Sequence, residues 1–476
     1  MTALSRLLLT TTVLFAAATA HAQTVLRVRS GAPAGGNGAS WATAYNDLQA
    51  AINVSRSVPS ATQVEIWVSG GTYFPTQLNP PTDPRSASFR EFRNNTAILG
   101  GFAGQDATPT LRNPQAHPTI LSGDIGALDA DADNAYTVLT LLNNSGMTID
   151  AVTIEKGVSD TSTRNIGAGV NINLSTATFR NVTIRNNRAG SLNPSGQTGT
   201  AGGVIFQFGT GTTVFEDCRF ENNTANGQGG AMFVNSNPAN PNSALEFRGC
   251  VFQGNTAGAG GAVATVRAKF INFLPGPSGN TKFISNTALT NGGAIYRRSD
   301  NPTPLTLNGV EFTSNTVGDP AVSANANGGA VSLQSNPAAP NTDVLTDCTF
   351  ISNRNIASPA NNYGGAALSA ADTNVRLLRC IFTSNDTGPG ANGRGGALYL
   401  AGSVSSTPDS TAPSAILDRC TFAGNSAPDA IGGAIYAFRS KSATAPSTPT
   451  PRARAGSPST TTAPCPPRGA ASADRG

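Results

Sequence analysis

Short runs of alternating apolar and polar residues recur along most of this chain, and the same few positions are apolar each time. Phe, two residues and Asn lead into a variable stretch, then Gly-Gly-Ala and a largely apolar pair. The pattern reads FENN from Phe220 with GGAMF from Gly229, FQGN from Phe252 with GGAVA from Gly260, and FISN from Phe283 with GGAIY from Gly292. It continues as FTSN from Phe312 with GGAVS from Gly328, FISN from Phe350 with GGAAL from Gly364, FTSN from Phe382 with GGALY from Gly395, and FAGN from Phe422 with GGAIY from Gly432. A spacing of roughly 30 to 40 residues is the period of solenoids, where each unit buries its apolar face only against its neighbours. Period-two alternation makes the units strands, so Cys218 and Phe220, or Cys250 and Phe252, share one face, the interior.

Earlier coils carry the same frame with aliphatic residues, as Val152 with Ile154 and Val182 with Ile184. Strands are also expected at residues 95–102, 119–124 and 136–141. In-register stacking then aligns like with like. Phe220, Phe252, Phe283, Phe312, Phe350, Phe382 and Phe422 are expected to form one aromatic column. Asn187, Asn223, Asn255, Asn286, Asn315, Asn353, Asn385 and Asn425 are expected to form an amide column at a bend, because Asn tolerates left-handed backbone and its amide both donates and accepts. Gly-Gly supplies a second bend where a Cβ would clash. The expected fold is all-β: a right-handed parallel β-helix with a short N-terminal capping helix and a disordered C-terminal tail.

Residues 1–22 read as a cleaved secretory signal, with basic Arg6, an apolar run and the ending Ala20-His21-Ala22. Residues 23–94 read as a cap and first rung. Asp47 is placed to N-cap a helix over residues 48–54, with Leu48, Ala51 and Ile52 on one face, and a strand over residues 64–73 follows. A helix there would cover the unpaired edge that a parallel stack exposes. Residues 95–438 are the repeats. Residues 439–476 are rich in Pro, Ser, Thr, Ala and Arg and read as a disordered tail. The composition changes abruptly in mid-coil, the pattern that a frameshift or truncation leaves. Two sets of loops vary in length, one between Asn and Gly-Gly and one after the Gly-Gly strand, as at residues 235–243, 334–342 and 403–415. They form two parallel ridges, the natural place for partner contacts.

Charge changes this picture little. The net charge is +4, but the tail contributes five net positive charges and Arg6 leaves with the signal, so residues 23–438 carry −2. A body so close to neutral has no electrostatic footprint for nucleic acid or an anionic membrane. No segment after the signal reaches the ~20 apolar residues of a membrane-spanning helix. A monomer is expected.

Candidate chemistry is sparse. Asp124, Asp129, Asp131 and Asp133 are the candidate metal ligands, since alternating carboxylates can converge on Ca²⁺. The run opens like an EF-hand loop, yet Asn134 stands at the sixth place and Thr140 at the twelfth. A solvated acidic loop with no cofactor is therefore the expectation and Ca²⁺ the alternative. His117 is a lone loop histidine. Cys218, Cys250, Cys348, Cys380 and Cys420 share one register, while Cys465 lies in the tail. Buried reduced thiols are the expectation, and rung-to-rung disulfides are the alternative that export allows. Polysaccharide hydrolysis or elimination needs paired carboxylates, or a base beside Ca²⁺-binding acids. The richest charged set is Glu155, Lys156, Arg180, Arg185 and Arg188, on neighbouring early coils, and no catalytic residue is assigned.

The recurrent Phe-x-x-Asn with Gly-Gly-Ala-Ile/Leu/Val resembles the repeat of the chlamydial-type polymorphic outer membrane proteins. SWATAYNDLQAAI from Ser40, EIWVSGGTY from Glu65, LGGFAG from Leu99 and TILSGD from Thr119 are similar to the capping regions of large exported bacterial β-helix proteins. The resemblance implies a right-handed parallel β-helix passenger at the cell surface or outer membrane, or extracellular, with adhesion as its role. One departure is that such proteins end in an autotransporter β-barrel closed by an aromatic residue, whereas this chain has no aromatic after Phe438 and ends at Gly476. The functional expectation is a non-enzymatic, adhesin-like scaffold that binds a surface glycan or protein ligand through its loop ridges. The alternative is a pectate lyase-like β-helix lyase or hydrolase.

Overall fold

The computed structural model describes residues 23–441, apart from 161–166, 191–202, 208–210, 236–243, 300–302, 320–325, 337–339, 357–363, 389–393, 405–414 and 429–431. The signal segment, most of the tail and much of both loop ridges lie outside the described residues. Strands from successive coils pair in parallel in four sheets of 12, 11, 11 and 7 described strands, the right-handed parallel β-helix expected from the repeat. One coil runs along Ala244–Arg248 on the first face and Val251–Gln253 on the second, then along Thr256–Ala259 in the short fourth sheet, and returns along Val263–Arg267 on the third face. The next coil opens at Phe270–Leu274, which pairs residue for residue with Ala244–Arg248.

The aromatic column forms as expected. Phe220, Phe252, Phe283, Phe312, Phe350, Phe382 and Phe422 pair in register on the second face. Their rings stack at 4.5 to 5.0 Å with planes within 9° of parallel. Ile184, Ile154, Leu121 and Tyr73 continue the column toward the N-terminus. A second stack, Phe179, Phe215, Phe247 and Phe273, stands on the first face at 4.6 to 5.2 Å. It meets the first edge-on, Phe215 lying 5.5 Å from Phe220. Such contacts contribute roughly 0.5 to 1.5 kcal/mol each beyond burial.

The asparagine column also forms, but its backbone differs from the expectation. The left-handed residue at this corner is the one before each ladder asparagine: Asn186, Asn222, Ser285, Ser314, Ser352 and Ser384, with Gly254 and Gly424 in the other two coils. The ladder asparagines are freed to turn inward and are buried as far as Asn385. Asn286 shows what each amide does. Its Oδ1 accepts the backbone N–H of Asn255 at 3.0 Å and the Asn255 amide at 2.9 Å. Its Nδ2 donates to the Phe252 carbonyl at 2.9 Å and to Asn315 Oδ1 at 3.0 Å. All four hydrogen-bonding sites of the amide are used, and they tie three successive coils together.

Gly-Gly closes the turn into the third face. A Cβ on Gly292, at φ +58°, would lie 1.9 Å from the Ile295 carbonyl oxygen, and one on Gly293 would lie 2.0 Å from that of Gly329 in the next coil. One coil departs from the expected frame. Leu368 pairs with Val331 and Leu398, so Gly365 and Ala366, not Gly364 and Gly365, hold the two glycine positions. Inward placement of Ala367 and Leu368, both fully buried, overrides alignment of the glycines.

The stacked cysteines are free thiols in the structure. Each donates to a first-face carbonyl of the preceding coil, as Cys218 Sγ to Phe179 at 3.4 Å and Cys250 Sγ to Phe215 at 3.3 Å. Burial pushes the Cys218 and Cys348 thiols up from their ordinary value, which keeps them protonated donors. At the N-terminal end, Leu48–Ser55 forms the capping helix and Asp47 accepts the Gln49 N–H at 2.8 Å. Its buried Leu48, Ala51 and Ile52 pack over Gln23–Val28, Gln63–Ser69 and Phe89–Glu91. The single strand expected at residues 64–73 is two, Gln63–Ser69 and Gly71–Tyr73, because the chain turns from first face to second at Gly71, φ +140°.

Asn286→Ala removes two acceptor and two donor contacts from the middle of the ladder, stranding buried groups at about 1–3 kcal/mol each. The expected loss is on the order of 3–5 kcal/mol by urea denaturation. Asn425→Ala, at the half-buried end of the ladder, should cost about 1 kcal/mol; equal losses at the two positions would refute the ladder as a stabilising device.

Candidate functional surfaces

The four carboxylates of the acidic loop do not converge on one point. Lys156 Nζ lies 2.7 Å from Asp124 Oδ2 and 2.6 Å from Asp129 Oδ1, in the place between them that a cation would take. These two hydrogen bonds, Asp124's the stronger, raise the Lys156 pKa above its ordinary value. Asp131 pairs with Arg188 at 3.1 Å, and Asp133 Oδ2 accepts the Ala127 N–H at 2.8 Å. Among the described residues no group of three or more His, Cys, Asp or Glu side chains is placed to share a metal ion. A carboxylate already neutralised by an ammonium or guanidinium has little left to offer a divalent cation.

The other early charges are also partnered. Arg185 meets Glu155 at 2.7 Å, and Arg180 meets Glu216 at 3.5 Å. Glu155, Lys156, Arg180, Arg185 and Arg188 are thus divided among four separate ionic groupings along the stack. Each such half-exposed pair contributes roughly 0–1 kcal/mol. His117 lines a shallow depression of about 360 Å³ with Gly70, Gly71, Thr72 and Phe102, and no carboxylate, Lys or Arg lines it. No helix among the described residues is long and apolar enough to cross a membrane.

Two features escaped the sequence pattern. On the outer side of the third face, Phe233 and Tyr296 are buried against alanines that include Ala189 and Ala259 of the fourth sheet. In later coils the same outward column holds Tyr399 and Tyr436, half-exposed and stacked at 5.7 Å, with the Arg394 guanidinium 5.3 Å from the Tyr436 ring. The GGALY and GGAIY endings carried that signal, but only the register shows which side of the sheet the tyrosines take.

The second feature is ionisable side chains inside the core. One inward column of the third face runs Glu91, Leu141, Ile172, then later Val234, Thr265, Arg297, Leu333 and Ala370. Arg297 and Asp343 are both 0% exposed and paired through Arg297 Nη2. Arg297 also donates to Thr373 Oγ1 at 3.0 Å, the Gln334 carbonyl at 2.8 Å and Ser335 Oγ at 2.7 Å. Asp343 accepts the Leu305 N–H at 3.1 Å and the Thr373 hydroxyl at 2.8 Å. This polar pin joins three coils at the root of the second loop ridge. Glu91 is fully buried beneath the capping helix. Its Oε1 accepts the Arg93 N–H, and its Oε2 has no partner among the described residues. Burial pushes its carboxyl up to about 6.

The repeat of the Chlamydia polymorphic membrane proteins matches residues 217–231, 280–296 and 419–437. Each match spans one coil from the corner before the Phe strand, past the ladder asparagine, to the Gly-Gly-Ala turn, so the resemblance read from the sequence is found in three coils. No curated protein matches the chain. Among solved structures, the crystal structure of pectate lyase Pel9A aligns at 12% identity over 69% of this chain and 76% of that one, with a TM-score of 0.36. That of PfbA, a surface adhesin of Streptococcus pneumoniae, aligns at 12% identity over 71% and 74%, with a TM-score of 0.34. Likenesses at this level carry no information about activity.

Two outcomes are expected from the buried groups. Arg297→Met leaves the Asp343 carboxylate unpaired in the core and should destabilise the chain by about 3–5 kcal/mol, while adding Asp343→Leu should recover most of that loss; no recovery in the double variant would refute the pairing account. For Glu91, the folded value lies above the ordinary 4.5, so the folded state binds the proton more tightly. Its contribution is full below pH 4.5 and is lost as pH rises through about 6. Glu91→Gln should be about 2 kcal/mol more stable than wild type at pH 7 and equal to it at pH 4. Urea titrations at the two pH values, read by exchange protection of the capping helix, make the comparison.

Proposed function

We propose that this chain is an exported, surface-displayed scaffold that binds a glycan or protein ligand through its loop ridges, an adhesin-like role without catalysis. The observation that carries this reading is where sequence variation is confined. Strand and corner positions repeat coil after coil, while the connection from fourth sheet to third face is residues 190–203 in one coil and 260–262 in another. The third-to-first connection likewise spans residues 405–414 in one coil and 300–304 in another. Loops leaving a rigid stack at the same corners present many small contacts in rows, which favours binding by avidity. The repeat matched in three coils belongs to a family of membrane proteins, which supports display at the cell surface or outer membrane. The ion pairs that occupy Glu155, Lys156, Arg180, Arg185 and Arg188 weigh against an acid–base pair for sugar chemistry.

Labelled protein comprising residues 23–476, applied to glycan and matrix-protein arrays, should bind a restricted ligand set. Replacing residues 236–243 and 405–414 with short Gly-Ser links should weaken that binding at least tenfold and leave the circular dichroism unchanged. Release of unsaturated uronates from pectin by the same preparation would overturn the reading in favour of a lyase.

A further inference from the structure

The hydrogen bonds that hold the capping helix to the strand Phe89–Glu91 end on Arg90. Gln49 of the helix brackets that residue: its Oε1 accepts the Arg90 N–H at 2.9 Å and its Nε2 donates to the Arg90 carbonyl at 3.3 Å. Arg56, at the C-terminal end of the helix, donates to the same carbonyl, and its guanidinium lies 4.6 Å from the Phe92 ring. Glu91, the next residue, stands in the inward column with Leu141 and Ile172. It is fully buried, and its Oε2 has no donor among the described residues. Asn144 of the following coil donates its Nδ2 to the Glu91 carbonyl at 3.1 Å, and its own buried Oδ1 also lacks a donor. Two buried acceptors on residues joined by a hydrogen bond leave the site one proton short. Arg56 from the helix and Arg93 from the same segment favour the ionised form of Glu91, but burial outweighs them and pushes its carboxyl up to about 6. The inward positions of Gln23–Val28, Gln63–Ser69 and Leu139–Leu142 carry no charge.

We propose that the capping helix is a proton-controlled lid on the first coil: it stays seated while Glu91 is protonated and lifts from the strand Phe89–Glu91 when Glu91 ionises, with the later coils still zipped. An ionised carboxylate in the core must reach water. On one side of Glu91 its column continues into Leu141 and Ile172; on the other no coil follows, because Phe89–Glu91 is the first strand of its sheet and the helix lies over it. Water therefore arrives by displacing the helix. The helix is eight residues long, too short to persist once detached, so lifting and local unfolding are one event. The asparagine ladder that ties later coils together begins only at Asn187, so this end can open without them. The sign follows from the carboxyl being raised from 4.5 to about 6 in the closed state: the proton that seats the lid is fully bound below pH 4.5 and is lost as pH rises through about 6. Acid seats the lid, and neutral pH loosens it. Opening bares the N–H and carbonyl of Arg90, a strand edge that Gln49 otherwise occupies. The device is independent of ligand binding by the loop ridges.

Hydrogen exchange without denaturant, read by mass spectrometry on residues 23–476, tests the lid in the unsubstituted chain. After correction for the intrinsic pH dependence of amide exchange, protection of peptides spanning residues 48–56 should fall roughly tenfold between pH 4.5 and pH 7. Peptides spanning residues 283–317, in the middle of the ladder, should keep theirs. Glu91→Gln carries a neutral amide at every pH, so it should hold the helix seated and remove the response. Equal protection of the helix at the two pH values would overturn the proposal. So would loss of protection in residues 283–317 together with the helix, or a response that survives in Glu91→Gln.

Discussion

Everything in this molecule depends on what happens at the corner between the second face and the fourth sheet. A corner taken deep in a stack strands backbone groups that neither strand can pair, and there is no water to receive them. The ladder asparagines solve this with one side chain per coil: each amide closes a backbone N–H of the coil before it, a carbonyl of that coil and the amide of the coil after it. The solution works only when the next coil presents the same residue at the same height. Register is therefore fixed by hydrogen bonding as well as by shape, and a slip of one residue would leave a row of buried amides unpaired. The phenylalanines, three residues before the ladder asparagines in the same coil, stack in the register that the asparagines help to hold.

That constraint explains where the chain is permitted to vary. Inward positions can change only within a column, as when the Phe179 stack passes to Leu307, Leu345 and Leu377. Outward positions answer to their neighbours above and below, so charges settle into pairs such as Asp347 with Arg379 at 2.7 Å in the adjoining coil. A surface built this way tends to cancel its own charge, and length changes are expelled to the two corners where loops leave the stack. The buried Arg297–Asp343 pin marks the exception. It spends polar groups in the core where the second ridge departs, an arrangement that holds loop roots in place more than it adds stability.

The asparagine, phenylalanine and Gly-Gly columns were legible in the sequence because each repeats often enough to reveal its own frame. So was the capping helix, since Asp47 and the spacing of Leu48, Ala51 and Ile52 are local signals. Three things were not legible. The left-handed residue precedes the ladder asparagine, and Asn186, Ser285 and Gly254 share that property without sharing a residue type. The displacement of Gly365 and Ala366 shows only when Leu368 is seen to align with its neighbours. The acidic run from Asp124 to Asp133 looked like ligands because its partners, Lys156 and Arg188, are one and two coils away in space but some 25 to 60 residues away in sequence. Sequence reading finds what repeats along the chain, and it misses pairings made across coils by residues that occur once.

A stack of equivalent coils has no inherent length, so its ends must be settled by something outside the repeat. At the start that something is the helix, and it comes with a cost of its own. The column that elsewhere holds Leu141 and Ile172 holds Glu91 beneath the helix, with one carboxylate oxygen unpartnered among the described residues. An aliphatic residue there would bury better, which makes the cap the less firmly held part of the stack at neutral pH. Toward the other end the amide ladder and the apolar columns run in register into the last described coil.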